Sequence, residues 1–255
     1  MSEYVRVERD GELLAITLAR PERRNAITVE MYSALGDAIA AGADPEVRLI
    51  TIRGEGSDFT AGNDLADFMT ALPRASDEEI PVWRLLRLLV ENQTPLVAAV
   101  QGNCVGIGTT MLLHCDLVVV ADNACFKMPF VELGLVPEAA SSLLLPDLAG
   151  RRRAARYLLL GESFGAEEAL AIGLASHRAV PAELDQRLGE IVTALLAQPR
   201  EALRATQRLL RDGPRDELLT RIALENASFG ERLESAEVKE AITKFFAARS
   251  ARSPG

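Results

Sequence analysis

The chain has 255 residues, 48% hydrophobic and 25% charged, an ordinary globular composition with enough length for one substantial core. Its 28 basic and 37 acidic residues give a net charge of −9, which argues against nucleic acid or an anionic membrane as the main partner. No apolar run reaches the roughly 18 residues of a membrane span. Three cysteines without a Cys-x-x-Cys pair, and two histidines, do not make a zinc-ligand set, so no metal is expected. The opening MSEYVRVERD reads as neither a signal nor a transit segment, and a reducing, cytoplasmic setting is expected.

Leu13–Leu18 predicts a strand, and the RPERRN after it a polar turn. Thr28 predicts an N-cap for a helix to about residue 40, with Met31, Leu35 and Ile39 on one face. Val47–Arg53 predicts a second strand, ended by GEGSD. Residues 65–76 predict a loop or short helix, because Pro73 breaks anything longer. Val82–Glu91 predicts a helix with Trp83, Leu86 and Val90 at helical spacing. Pro95 then opens the buried strand LVAAV (96–100), a Gly-rich turn (102–108) leads into the apolar helix TTMLLHC, and Leu117–Val120 is a further strand. Strand and helix alternate to about residue 180, an α/β pattern. Beyond it, 183–197, 200–212, 214–228 and 235–249 are amphipathic helices broken by Pro199, Gly213–Pro214 and Gly230. This tail reads as a packing or assembly region rather than the seat of chemistry.

Two turns share a design. Strand VRLITIR runs into GEGSDFTAGND, and strand LVAAV runs through QGNCVGIG into a helix. Small residues there let backbone N–H groups face a cleft, where two of them can hold a negative oxygen; glycines after strands are also simply turns. Gly102-x-x-x-Gly106-x-Gly108, with a following strand that ends at Asp122, also resembles the dinucleotide site of short-chain dehydrogenases. About a hundred residues precede it, however, and the Tyr-x-x-x-Lys pair is missing: Tyr4, Tyr32 and Tyr157 are followed four places on by Glu8, Gly36 and Gly161.

Five blocks, in order, resemble the crotonase superfamily, the enoyl-CoA hydratase/isomerase family. RPERRNAI (20–27) is similar to its Arg-Pro-x-x-x-Asn-Ala-Leu turn, and SDFTAGNDL (57–65) to its Phe-x-Ala-Gly-x-Asp-Leu loop. QGNCVGIG…CDLVVVAD, FKMPFVELGLVP and GESFGAEEALAIGLASHRAV resemble the remaining three. The resemblance implies a ClpP/crotonase-like ββα spiral core that binds acyl-CoA over residues 1–195. It implies a helical trimerisation region over 196–255, and a homotrimer or dimer of trimers. No separate cofactor is implied, since coenzyme A is part of the substrate; the setting implied is fatty-acid and lipid metabolism.

Carried over by position, the oxyanion amides are those of Asn63 and Ile107, the second replacing the family's usual Gly. CoA would lie along RRNAI, with Arg23 and Arg24 near its phosphates, beside Ala26, and with the backbone of Ala61, Asp64 and Leu65 near adenine. Phe245 and Arg249 resemble the CoA-contacting tail, although Ala248 stands where a Lys is common. The two hydratase glutamates fall on Thr110 and Phe130, which would line the acyl pocket but move no proton. Glu138, in GLVPEAASSLLLP, resembles the single base of the Δ3,Δ2-enoyl-CoA isomerase-like branch, which carries a proton between C2 and C4 of a 3-enoyl-CoA.

Pro followed by Glu is also how helices start, so Glu138 can equally be a helix-start residue. Glu132 reads as solvent- or interface-facing, Asp64 as bonding its own loop, and Arg151–Arg153 with Arg156 as a solvated or subunit-contact face. His114, Cys115 and Asp116 are adjacent on a helix and cannot converge as a triad. Isomerase chemistry is favoured; a hydratase (lyase) with an unusual acid/base and a non-catalytic acyl-CoA-binding protein remain open.

Overall fold

The structure, a computed structural model, describes residues 2–67 and 80–252, with side chains to residue 247. Of the expected 65–76 segment, residues 65–67 form a helical turn and the rest, with Pro73, lies outside the described residues.

Strands β1 (Val5–Asp10) and β2 (Leu13–Leu18) form an antiparallel hairpin. β3 (Leu49–Gly54), β4 (Leu96–Val100), β6 (Leu117–Ala121) and β9 (His177–Ala179) then add in parallel, in the order β1-β2-β3-β4-β6-β9. The runs LITIRG, LVAAV and LVVVA are buried almost throughout, which is why they read as continuous apolar stretches rather than alternating ones. β3 starts two residues later than predicted because Val47 and Arg48 are held in a turn by the carbonyls of Asp44 and Glu12.

β5 (Asn103–Val105), β7 (Cys125–Lys127) and β8 (Phe164–Gly165) make a second, three-stranded sheet. Single parallel bridges, Thr60 to Cys104 and Ile27 to Asn63, extend it backwards along the chain. Each turn of the coil therefore gives one long strand to the first sheet and one short piece to the second. This is the spiral the sequence led us to expect. The short pieces NCV, CFK and FG, and the three-residue HRA of the first sheet, carry no periodic signal.

Helix α1 (Val29–Ala41) starts as predicted, with the Thr28 hydroxyl accepting the Met31 N–H at 3.2 Å. α2 (Pro81–Glu91) packs on α1 and the first sheet. The expected TTMLLHC helix is instead α3 (Ile107–Met111), which begins earlier and tightens into a 3₁₀ turn over Leu112–His114. α4 (Ser141–Ala149), α5 (Arg151–Leu159) and α6 (Ala166–Ala171) follow. The tail comprises α7 (Leu184–Leu196), α8 (Arg200–Arg211), α9 (Arg215–Leu233) and α10 (Ala236–Arg252). Gly230 does not break α9 as expected: a single glycine costs about 1 kcal/mol in a helix, and packing of buried Phe229 before it and partly buried Leu233 after it against the main core carries α9 through it.

The first sheet has a core on each face. Leu49, Val97, Ala99, Val119 and Ala121 meet Leu184, Leu188 and Ile191 of α7, and the alternate residues join the main core. Of the apolar tail positions, Ile222, Phe229, Val238 and Ile242 are buried against this chain's own main core, while Phe245 is exposed.

Asn25 fastens the first turn of the coil to the second. Fully buried and left-handed (φ 54°), it accepts from the Arg20 N–H at 2.9 Å and donates to the carbonyls of Glu55 (2.9 Å) and Asp58 (2.8 Å). Asn25→Ala strands all three groups, and chemical denaturation is expected to read a loss of about 2–5 kcal/mol.

Candidate active site

The segments 58–64 and 101–107 lie side by side. The Phe59 N–H donates to Gln101 O, Thr60 N–H to Asn103 O, and Val105 N–H to Thr60 O, at 2.7–3.0 Å. Two glycines permit the approach: a Cβ on Gly62 (φ +86°) would sit 2.9 Å from the Val105 carbonyl, and one on Gly108 would sit 2.4 Å from Thr60 Cγ2. On the other side, the Ile27 N–H donates to Gly62 O and the Asp64 N–H to Ile27 O. In a parallel bridge this pattern turns the groups of the intervening residue away, so the Asn63 N–H faces the 103–107 side.

At the adjacent chain end, Gly106 N–H donates to Lys127 O, and the N–H groups of Thr109 and Thr110 both take Gly106 O. Ile107 opens α3 and has no carbonyl acceptor among the described residues, as the first residue of a helix does not. The structure thus places Asn63 and Ile107 each three residues beyond the bridged pair Thr60 and Cys104, with the Ile107 side chain folded into the core at 1% exposure.

Glu138 approaches from the loop before α4. It is 4% exposed, and its Oε1 is fully enclosed without a hydrogen-bond partner among the described residues. Burial, and next the charge of Glu225, push its carboxyl up to about 8. The helix-start reading of Glu138 does not hold. α4 begins three residues later, and its first N–H groups are taken by Glu225 of α9: Ala140 N–H at 2.6 Å and Ser142 N–H at 3.0 Å, with the Ser142 hydroxyl at 2.5 Å.

Tyr32 of α1 bonds to one part and feels the charge of the other. Its buried hydroxyl donates to Asn63 Oδ1, and burial together with the Glu138 charge raises its pKa well above the usual phenol value. Sequence reasoning missed both Tyr32 and Glu225. The signal for Glu225 was an acid inside the apolar stripe Leu218, Ile222, Phe229; that for Tyr32 was a phenol beside Leu35 and Ile39 on the buried face of α1.

Thr110 and Phe130 are buried and carry no ionisable group. Arg23 and Arg24 are exposed beside half-buried Ala26, with the Arg24 carbonyl taking the Ala61 N–H at 2.8 Å. Leu65 is half-buried. Asp64 accepts from Arg20 at 2.8 Å rather than only from its own loop; burial opposes its charge, but Arg20 and two backbone N–H groups hold its pKa below the usual carboxylate value. Phe245 stands exposed on α10, and Arg249 lies on the same helix with its side chain outside the described residues.

Glu132 pairs with Lys127 at 2.9 Å on the surface. Arg153 and Arg156 pair with Glu168 and Glu162. His114, Cys115 and Asp116 diverge as expected: His114 meets Ala139 O at 2.8 Å, Cys115 meets Met111 O, and Asp116 accepts from Leu96 N–H and Arg211. Burial lowers the His114 pKa to about 4, so the ring is neutral. No group of metal-ligating side chains occurs among the described residues, and no helix there is long and apolar enough to cross a membrane.

The model of the enoyl-CoA hydratase/isomerase family matches residues 8–252. The chain belongs to that family. It is 31% identical over 261 residues, with all of both chains covered, to 1,2-epoxyphenylacetyl-CoA isomerase of Escherichia coli K12. It is 30% identical over 253 residues to crotonyl-CoA hydratase of Syntrophomonas wolfei, covering 98% of this chain and 97% of that one. Among solved structures it resembles Pseudomonas aeruginosa OdaA, with a TM-score of 0.90, 43% identity, and 96% and 99% of the two chains covered. The fold is the crotonase fold, and the chain is an acyl-CoA enzyme of this family, whose members carry both isomerase and hydratase names.

The buried Glu138 carboxyl has a measurable consequence. It binds its proton more tightly in the fold than in the unfolded chain, so its contribution to stability is complete below the ordinary value of 4.5 and is lost as pH rises through about 8. Glu138→Gln has no such loss. Its melting temperature is expected to be close to the parent's near pH 4 and higher by about 4 °C or more near pH 9, read by calorimetry across pH.

Proposed function

We propose that the protein moves a double bond within an unsaturated acyl-CoA thioester, with Glu138 as its single acid/base. The observation that carries this reading is the buried Glu138 carboxyl, whose enclosed Oε1 has no hydrogen-bond partner among the described residues, and whose charge is felt by the Tyr32 hydroxyl that donates to the Asn63 side chain.

In this reading the thioester oxygen of a 3-enoyl-CoA lies between the N–H groups of Asn63 and Ile107. Glu138 takes a proton from C2, and the electron pair spreads over a dienolate whose negative oxygen the two amides stabilise. The same carboxyl, now protonated, returns the proton at C4 and leaves the 2-enoyl thioester. Nothing is added or lost, so one carboxyl suffices. A two-carboxylate hydration finds no second acid: Thr110 and Phe130 stand at the positions that would supply the pair, and Glu132 is engaged with Lys127 at the surface.

CoA would lie with its phosphates at exposed Arg23 and Arg24 beside Ala26, and with adenine near the backbone of Ala61, Asp64 and Leu65. Phe245 and Arg249 would close over it from a neighbouring subunit or from α10 of the same chain. The exposed Leu209, Leu210 and Leu224 fit an assembly role for residues 196–255, as a trimer or dimer of trimers; a monodisperse monomer in light scattering would count against it.

Glu138→Gln is expected to lower turnover of 3-enoyl-CoA by about 10²-fold or more, with little change in thioester binding. Ile107→Pro removes one amide and is expected to cost about 10²-fold or more in the folded variant. Products are followed by mass and retention time on both 3-enoyl-CoA and 2-enoyl-CoA. Hydration of 2-enoyl-CoA that survives Glu138→Gln and Glu132→Gln would overturn the assignment, and thioester binding without turnover would make the chain a binding protein.

A further inference from the structure

We propose that Glu225 is a positioning residue for Glu138: reaching in from α9, its carboxylate holds the left-handed corner Ala139–Ala140 that aims the Glu138 side chain. The proposal rests on reading Glu138 as the base.

The corner cannot hold itself. Ala139 (φ 61°) and Ala140 (φ 54°) are two consecutive non-glycine residues in the left-handed region, where Cβ crowds the following carbonyl. Such a conformation persists only when its surroundings impose it, and here bonds from three directions do so. Glu225 accepts from Ala140 N–H at 2.6 Å, Ser142 N–H at 3.0 Å and the Ser142 hydroxyl at 2.5 Å. Neutral His114 meets the Ala139 carbonyl through Nε2 at 2.8 Å. The Glu138 carbonyl takes both the N–H (3.0 Å) and the hydroxyl (2.6 Å) of Ser141.

Of these anchors, only Glu225 comes from outside the coil, and its two oxygens meet three donors. An amide in its place has one oxygen and would turn its NH₂ toward an N–H. The anchor is therefore specific to a carboxylate, and its charge acts on Glu138 as well. The charge that acts on Glu138 is that of Glu225 from α9; Glu138 in turn raises the pKa of Tyr32 on α1, and Arg221 partly balances Glu225. Burial outweighs the donors at Glu225 and raises its pKa too; its charge still pushes the Glu138 pKa up, so removing Glu225 relieves a like-charge repulsion on Glu138.

The test compares Glu225→Gln and Glu225→Ala with the parent, using 3-enoyl-CoA turnover across pH, melting temperature, and isotope-edited infrared titration of the Glu138 carboxyl, its band assigned by loss in Glu138→Gln. Misplacing the base is expected to lower kcat by about 10²-fold with KM within about twofold. The acid limb of kcat and the infrared titration are both expected to move to lower pH. A lowered melting temperature with kcat and both pH curves as in the parent overturns the proposal. Where Glu225→Ala does not fold, Ala140→Gly in the same chain relaxes the corner. Recovery of the melting temperature without recovery of kcat supports positioning, and recovery of both overturns it. Should the parent itself not isomerise 3-enoyl-CoA, the reading of Glu138 as base fails, and the infrared titration alone decides: a shift in Glu225→Gln supports the control of Glu138 by Glu225, and no shift overturns it.

Discussion

The Thr60–Cys104 bridge holds two turns of the coil in register, and the chemistry of the site follows from that register. In a parallel pair each bridging residue bonds to the neighbours of its partner, so main-chain groups point alternately to the two sides. Thr60 spends its groups on 103 and 105, and Ile27 spends its own on 62 and 64. Asn63 is the residue left facing the next segment. A slip of one residue would reverse the alternation and turn that N–H away, which is why close approach at Gly62 and Gly108 matters more than the identity of the side chains nearby.

Two buried carboxyls sit near this ladder under opposite conditions. Glu225 meets three donors, whereas Glu138 leaves an enclosed oxygen without one. A buried acid without donors keeps its proton rather than its charge. With a value of about 8, the base form at neutral pH is roughly one molecule in ten. Under the proposed reaction this scarcity has a use. Once Glu138 has taken a proton from carbon, its protonated form is the stable one, so the proton is retained beside the dienolate until it returns to C4.

Much of this was legible in the sequence, and the missing parts share a cause. LLAITL, LVAAV and LVVVA declare themselves because burial on both faces demands unbroken apolar runs, and Thr28 declares a helix start because a hydroxyl there meets a free N–H. The second sheet is invisible by pattern: NCV and CFK are too short to show a period and are paired through backbone alone. Gly230 looked like a break because propensity is local, whereas α9 is held through it by packing of Phe229 before it and Leu233 after it. Glu138 could be picked out, but its neighbours Tyr32 and Glu225 lie about a hundred residues away on either side. Only their placement on otherwise apolar helix faces hinted that they were inside.

The two halves of the site are therefore held by different means. The Asn63 and Ile107 amides are set by main-chain bonds between successive turns, which need little from the side chains beyond the close approach that Gly62 and Gly108 allow. Glu138 is set by side chains, and the farthest of these comes from the helical tail, a region whose composition suggested packing alone. α9 buries Leu218, Ile222 and Phe229 in the same core that the coil surrounds, so its position is fixed by apolar packing and passed to the corner through one carboxylate. Under the proposed reaction, an oxyanion pair fixed by main-chain bonds and a base adjustable through the tail would allow the position of proton transfer to vary without disturbing the amides that stabilise charge. In a coil whose backbone ladder tolerates little change, that is where differences in chemistry can arise.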